Sequence, residues 1–334
     1  MHIRKALAAV AGLALLLSGC SSNSDKPAEG NETTAPAEAT TEAADFPRTV
    51  KHASGETTIE AQPERIVVMD MAALDTLDAL GAGDKVVGTV TSNLPTWLAD
   101  DDGINYSNVE SVGSLKEPDM EAIAKLDPDL VVLGARSAKL YPEFEKSFTT
   151  IDATHSWDVD NYSETVPDQI KMIGEAVGAD EAAEKSADEI TKLIADNKGA
   201  AKDKGSALVI MTNGGEISLH DSKSRWAPIY DVFGFTEAYK KDEADEGHKG
   251  DKVSFETVKE LNPDWIFVVD RDAAVGKTDA GVTAEQVLDN ELVHSTNAWQ
   301  NEQVVYLSPE RWYIVMQGAS NFPAMLNEIA DAIK

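Results

Sequence analysis

One stretch of this chain occurs twice, and that repetition limits its possible folds more than any other feature. Glu121 to Arg136 and Glu256 to Arg271 align without a gap at a constant offset of 135 residues. Glu falls on Glu, Leu126 on Leu261, Pro128 on Pro263, Asp129 on Asp264 and Arg on Arg. Each copy reads as a short helix halted at an Asp/Asn-Pro-Asp turn, because proline restricts the residue before it. The apolar run that follows is too short for a helix, rich in Val and Ile and bounded by turn signals, as a buried parallel strand is. In such an αβ unit the helix runs antiparallel to the strand, so the helix N-terminus and the strand C-terminus share one sheet edge. Open α/β sheets bind ligands outside the carboxyl ends of their strands. The expectation is two similar α/β lobes, each presenting an Arg (Arg136, Arg271) toward a site and a Glu (Glu121, Glu256) near its rim. The competing reading is a duplication whose Arg and Glu are ordinary surface charges.

The N-terminus carries a targeting pattern. Arg4 and Lys5 precede an apolar stretch from Ala6 to Leu17, too short to span a bilayer, and Leu17-Ser18-Gly19-Cys20 follows. This run resembles the lipobox of bacterial lipoproteins, in which the cysteine is diacylated and becomes the new N-terminus. Cys20 is the sole cysteine of the sequence, so no intramolecular disulfide is available to explain it. Two acyl chains on one residue suffice for stable membrane attachment. Ser21 to about Phe46 holds Ser, Thr, Ala, Pro and Glu with almost no large apolar side chain, the composition of a flexible tether. The net charge is −30. Such acidity argues against nucleic acid as a partner, and makes any Arg kept in a cleft stand against the overall field.

From Pro47 the chain is globular and long enough for two domains. The spacing predicts an edge hairpin within Lys51 to Ile59, a strand over Glu64 to Asp70, a helix over Met71 to Leu80 and a strand over Lys85 to Val90. Thr91 to Ser114 reads as irregular, Ser137 to Phe148 as helical and Thr150 to Thr154 as a short strand. Tyr162 to about Lys202 is the longest helical pattern, broken near Gly178. Its second part, 180–203, is long enough at about 30 Å to bridge two lobes, although a helix packed within one lobe has the same spacing. Ala207 to Thr212 and Glu216 to Leu219 are strands about a Gly214-Gly215 turn, Arg225 to Phe233 a helix, and Tyr239 to Lys252 a polar acidic loop. After the second repeat copy come a helix from Ala284 to Leu292, a strand over Val304 to Leu307 and a closing helix from Ser320 to Ile333. The resulting division is 1–19 signal peptide, 20–46 tether, 47–179 N-terminal lobe, 180–203 connecting helix and 204–334 C-terminal lobe.

Enzyme signatures are missing from the sequence: there is no G-x-S-x-G, H-E-x-x-H or G-x-G-x-x-G, and the histidines are scattered. Candidate binding groups instead follow strands. These are Arg136, Arg225 and Arg271, His248 in a Gly-flanked loop, and Tyr313 beyond the strand that ends at Leu307. Arginine forks onto anionic oxygens, and Tyr and His can ligate a transition metal. Against this, Arg225 could sit on the surface, His248 could be a solvated loop residue, Tyr313 could pack in the core or rim, and Trp226 and Trp312 could be core rather than an apolar wall.

A family resemblance attaches to particular runs: Pro63 to Val68 with Ala73 to Gly81, Gly113 to Asp119, Ser224 to Trp226 with Asp231 to Phe235, Phe267 to Arg271, Val287 to Asn290, and Trp312-Tyr313. With these the chain resembles the iron-siderophore class of bacterial ABC-transporter substrate-binding proteins, most of all those that take catecholate siderophores. The resemblance implies two Rossmann-like α/β lobes joined by one long helix, a ligand cleft between them, little closure on binding and no enzymatic activity. It implies that Arg136, Arg225 and Arg271 face an anionic ferric complex, with Trp226 and Trp312 among the ligand-binding residues. His248 and Tyr313 complete iron coordination when the siderophore offers only four oxygen donors. Glu121 and Glu256 fall at the permease-docking carboxylates, one per lobe. The implied partners are a ferric siderophore, an ABC permease dimer with its ATPase, and the membrane through the Cys20 anchor. The expected protein is a monomer with no intrinsic cofactor, lipid-anchored at the extracellular face of the cell membrane. Where relatives tend to carry a Gly-rich run after this tyrosine, the chain has Ile314 to Gly318, which leaves room for a bulkier or mixed-donor siderophore. Haem or cobalamin is the same-fold alternative ligand, and a lipid-anchored hydrolase the distant one.

Overall fold

The computed structural model describes residues 45–100, 102–157, 159–241, 250–276 and 282–334. Cys20, the tether and His248 lie outside the described residues. The chain opens with an antiparallel hairpin, β1 (Arg48–His52) and β2 (Gly55–Ile59). Five parallel strands follow: β3 (Ile66–Met69), β4 (Val86–Thr89), β5 (Glu110–Ser111), β6 (Leu130–Leu133) and β7 (Thr150–Asp152), in the order β5-β4-β3-β6-β7. A second sheet contains β8 (Ser206–Asn213), β9 (Glu216–His220), β10 (Thr236–Glu237), β11 (Asp251–Val253), β12 (Trp265–Asp270) and β13 (Val304–Leu307). Its order is β11-β9-β8-β12-β13, with β10 alongside the start of β8; β9 and β11 run antiparallel to their neighbours. Strand β11 begins inside the stretch read from sequence as loop, because Asp251 to Val253 pair with Ile217 to Leu219 of β9.

The two repeat copies fold alike down to their stops. The helices Met120–Leu126 and Phe255–Leu261 end on Asp127 (φ 46°, ψ 58°) and Asn262 (φ 42°, ψ 58°), both left-handed. Proline alone would push the preceding residue toward extended backbone; Asp and Asn tolerate the left-handed region, which ends the helix more tightly. The acid after each proline has one task in both lobes. Asp129 accepts the backbone N–H groups of Glu64 and Arg65 at 2.9 and 3.0 Å, and Asp264 accepts that of Ser206 at 2.9 Å. Each therefore fastens the repeat strand to the start of the neighbouring strand, β3 or β8, and so fixes the register.

Between the sheets lie two antiparallel-packed helices, Tyr162–Val177 and Asp180–Asn197, separated by left-handed Gly178. At about 1.5 Å per residue the second is about 27 Å long. Arg48 of β1 pairs with Asp180 at its start (2.7 Å), and just beyond its end Gly199 N–H donates to Val232 of the second sheet's lobe (2.8 Å). The strands alternate their apolar faces. Ala207, Val209, Met211, Phe267 and Val269 join the first sheet and the helix pair in one continuous core, while Leu208, Ile210, Ile266 and Val268 face a smaller one.

A polar tie crosses between the lobes. Asp75, on the helix Met71–Ala79, is 1% exposed and accepts from Trp97 Nε1 (2.8 Å), Ser320 N (2.9 Å), Ser320 Oγ (2.5 Å) and Asn321 N (3.1 Å). It thus caps the closing helix Asn321–Ala332 from another element, and Ala319 N–H donates to the adjacent Thr76 hydroxyl at 3.2 Å. Ser163 donates to Asp231 through backbone and side chain (3.0 and 2.7 Å), and Thr96 to Glu310 in the same way (3.1 and 2.9 Å).

Candidate functional site

Tyr313 is the hub of the site. A π-helical turn, Glu310–Val315, carries it, the kind of local widening that re-aims a side chain. Its two neighbours in space hold that turn rigid: Trp226 Nε1 donates to the Trp312 carbonyl (3.0 Å), and Trp312 Nε1 donates to Glu328 (2.6 Å). Both indoles are fully buried and line no part of the cleft. The expectation that Trp226 and Trp312 form a ligand wall is therefore corrected: their indole N–H groups need partners, and the protein supplies them internally.

Three arginines converge on the phenol. Arg271 Nε donates to the Tyr313 hydroxyl at 2.9 Å and Arg136 Nη2 at 3.2 Å. Arg225 stacks against the Tyr313 ring, its guanidinium carbon 5.1 Å from the centroid, and lies similarly over Trp157 (5.4 Å) and Trp226 (5.5 Å). Arg271 is oriented further by a 3.0 Å bond to Asn213 at the end of β8. Burial, the largest influence on the phenol, pushes its pKa up; Arg136, the Arg271 hydrogen bond and Arg225 together outweigh it, so the group ionises below the usual tyrosine value. The arrangement offers an oxygen-seeking cationic surface around an oxygen that takes negative charge more readily than an ordinary phenol.

Arg136, Arg225 and Tyr313 line a cleft of about 230 Å³ that also presents Asp70, Ser92, Ser114, Lys116, Trp157 and Gln317. Arg271 reaches the site through Tyr313 rather than through the cleft wall. Sequence reading missed Trp157, Lys116 and Asp70. Asp70 alone had a signal, because it directly follows β3 as Arg136 follows β6. Burial raises its pKa to about 6, against the lowering effect of the Ala73 and Ala72 backbone amides. Among the described residues no group of three or more His, Cys, Asp or Glu side chains could hold a metal. Tyr313 is the described candidate that could meet a metal carried by a ligand.

Glu121 and Glu256 stand apart from the cleft. Each lies in the first turn of its repeat helix, where the helix dipole favours a carboxylate. Glu121 is exposed and pairs with Lys125 at 2.7 Å, while a hydrogen bond from Ser254 holds the Glu256 carboxyl below its usual range.

Two parallel-stranded lobes, a helix pair between them and a cationic cleft define a solute-binding protein, and the chain belongs to the periplasmic binding protein family, whose model matches residues 66–310. It is similar to the petrobactin-binding protein YclQ of Bacillus subtilis, with 36% identity covering 86% of this chain and 88% of that protein. Among solved structures it resembles the periplasmic catecholate-siderophore binding protein VctP of Vibrio cholerae: TM-score 0.76, 31% identity, 85% of this chain and 99% of that one. It also resembles the siderophore binding protein BauB, solved with a complex of two molecules of acinetobactin and ferric iron: TM-score 0.75, 25% identity, 86% and 99% coverage. The family is one of substrate-binding proteins. No described helix is long and apolar enough to cross a membrane.

Proposed function

We propose that this protein captures a ferric siderophore of catecholate type and delivers it to an ABC importer. The observation that carries the reading is the convergence of Arg136, Arg225 and Arg271 on Tyr313 at the cleft. A ferric ion with three doubly ionised catecholates carries a charge of about −3, and three guanidiniums offset it where the walls exclude water. Support comes from YclQ, VctP and BauB, each named for a siderophore ligand. In this reading the arginines grip the complex, Trp157 gives it an aromatic face, and Tyr313 with His248 fills the iron shell when the siderophore leaves two positions open. Glu121 and Glu256 dock a permease dimer driven by its ATPase. Diacylated Cys20 holds the protein at the extracellular face of the membrane, and 180–203 joins the 47–179 and 204–334 lobes. The protein acts as a monomer without catalysis, so the complex leaves chemically unchanged.

Quenching of intrinsic fluorescence tests the reading. A ferric bis-catecholate is expected to bind with submicromolar Kd, and the triple change Arg136→Ala, Arg225→Ala, Arg271→Ala to weaken it at least about a thousandfold, counting about 1.5 kcal/mol or more per lost charged contact. Unchanged affinity in the triple variant, or tight binding of haem or cobalamin in place of the ferric complex, would overturn it.

A further inference from the structure

Asp70 is a carboxylate on the lining of a cleft otherwise furnished with Arg136, Arg225 and Lys116. Its sign is wrong for an all-anionic cargo, yet the fold holds it there closely. It caps the helix Met71–Ala79, accepting Ala73 N–H at 3.0 Å, and is 9% exposed. Gly134, at the end of β6, lets the backbone press against it: a Cβ at that position would come within 2.8 Å of the Asp70 carboxyl carbon. The cap does not explain a charged side chain, since Ser or Asn caps a helix as well. Nor is there a cation to neutralise it, for the charge that acts on it is a second acid, Asp152. An anionic acceptor placed among cations in a ligand cleft calls for a ligand group that donates.

We infer that Asp70 is a specificity-determining binding residue that takes a hydrogen-bond donor of the cargo, a protonated amine in the siderophore backbone, while the arginines take its catecholate oxygens. The cleft then selects a zwitterionic ferric complex over one that is uniformly anionic. This rests on the siderophore reading above and narrows it.

The test compares two synthetic ferric bis-catecholates of equal linker length, one with an all-carbon linker and one with a secondary amine in the linker, titrated by fluorescence quenching. The wild-type protein is expected to prefer the amine-bearing complex by about tenfold, the scale of one hydrogen bond to a charged group. Asp70→Asn and Asp70→Ser both keep a capping side chain, so either can serve if the other folds poorly; each is expected to cut the preference to about twofold or less, with the all-carbon complex binding tighter than to wild type. A preference that survives both substitutions, or a wild-type protein indifferent to the amine, overturns the assignment. A wild-type protein that binds neither complex overturns the siderophore reading itself.

Discussion

The inter-lobe tie at Asp75 gives a sharp test of how the two lobes are held. Its carboxylate takes four hydrogen bonds, two on each oxygen: Trp97 Nε1 and Ser320 Oγ on Oδ1, Ser320 N and Asn321 N on Oδ2. Asp75→Asn preserves size and shape but leaves one oxygen. Whichever way the amide turns, its NH2 faces two donors, so two bonds are lost inside a nearly dry site. At about 1 to 1.5 kcal/mol each the loss is about 2 to 3 kcal/mol. Burial raises the Asp75 pKa despite those bonds, so removing the charge returns part of that loss. A net destabilisation of about 2 kcal/mol lowers Tm by about 4 to 8 °C in a fold of this size. Thermal unfolding by circular dichroism at neutral pH reads it directly. A shift within about 1 °C would refute the view that this carboxylate fastens the closing helix of one lobe to the other.

Two further outcomes follow from single groups. Because the folded pKa of Asp70 is raised to about 6, its contribution to stability is fully present below the unfolded value of 3.8 and is lost as pH rises through about 6. Asp70→Asn does not titrate, so its Tm relative to wild type is expected to climb by several degrees between about pH 4 and pH 7.5, reflecting about 2 to 3 kcal/mol; a flat difference would contradict the burial argument. Paired substitution of Glu121→Ala and Glu256→Ala is expected to abolish uptake into cells while leaving soluble binding within about twofold, since neither lines the cleft. If affinity falls with uptake, they belong to the site or the scaffold instead.

The parts of the fold legible in the sequence were those written in local pattern. Val304 to Leu307 forms a strand over the predicted range, and the repeat located β6, β12 and the arginines that follow them. What escaped depends on contacts distant in sequence. Arg225 to Phe233 was expected to be helical throughout, yet only Pro228–Asp231 is. Arg225 is turned toward the cleft and the Trp226 indole is tied to Trp312, constraints that a regular helix from Arg225 would not meet. Likewise Ser137 to Phe148 contains only a 3-10 turn, Ala138–Leu140, and one helical turn, Tyr141–Phe144. The π-helical turn at Tyr313 has no local code; Met316 leaves it at φ 56°, in a region that side chains rarely adopt. Trp157 and Lys116 enter the site from irregular segments that carry no periodicity. The tryptophans 226 and 312 show the opposite error, since their size suggested a ligand wall and their polar N–H groups drew them into the support of the hub.

The central claim is that Arg136, Arg225 and Arg271 hold an iron complex against Tyr313, and a crystal structure of residues 46–334 with a ferric bis-catecholate bound would test it most directly. The account predicts iron in the cleft beside Trp157, guanidinium nitrogens of Arg136 and Arg225 within about 3 Å of catecholate oxygens, and the Tyr313 hydroxyl turned toward the metal. Iron bound elsewhere, or in the cleft with no arginine on its oxygens, would contradict it.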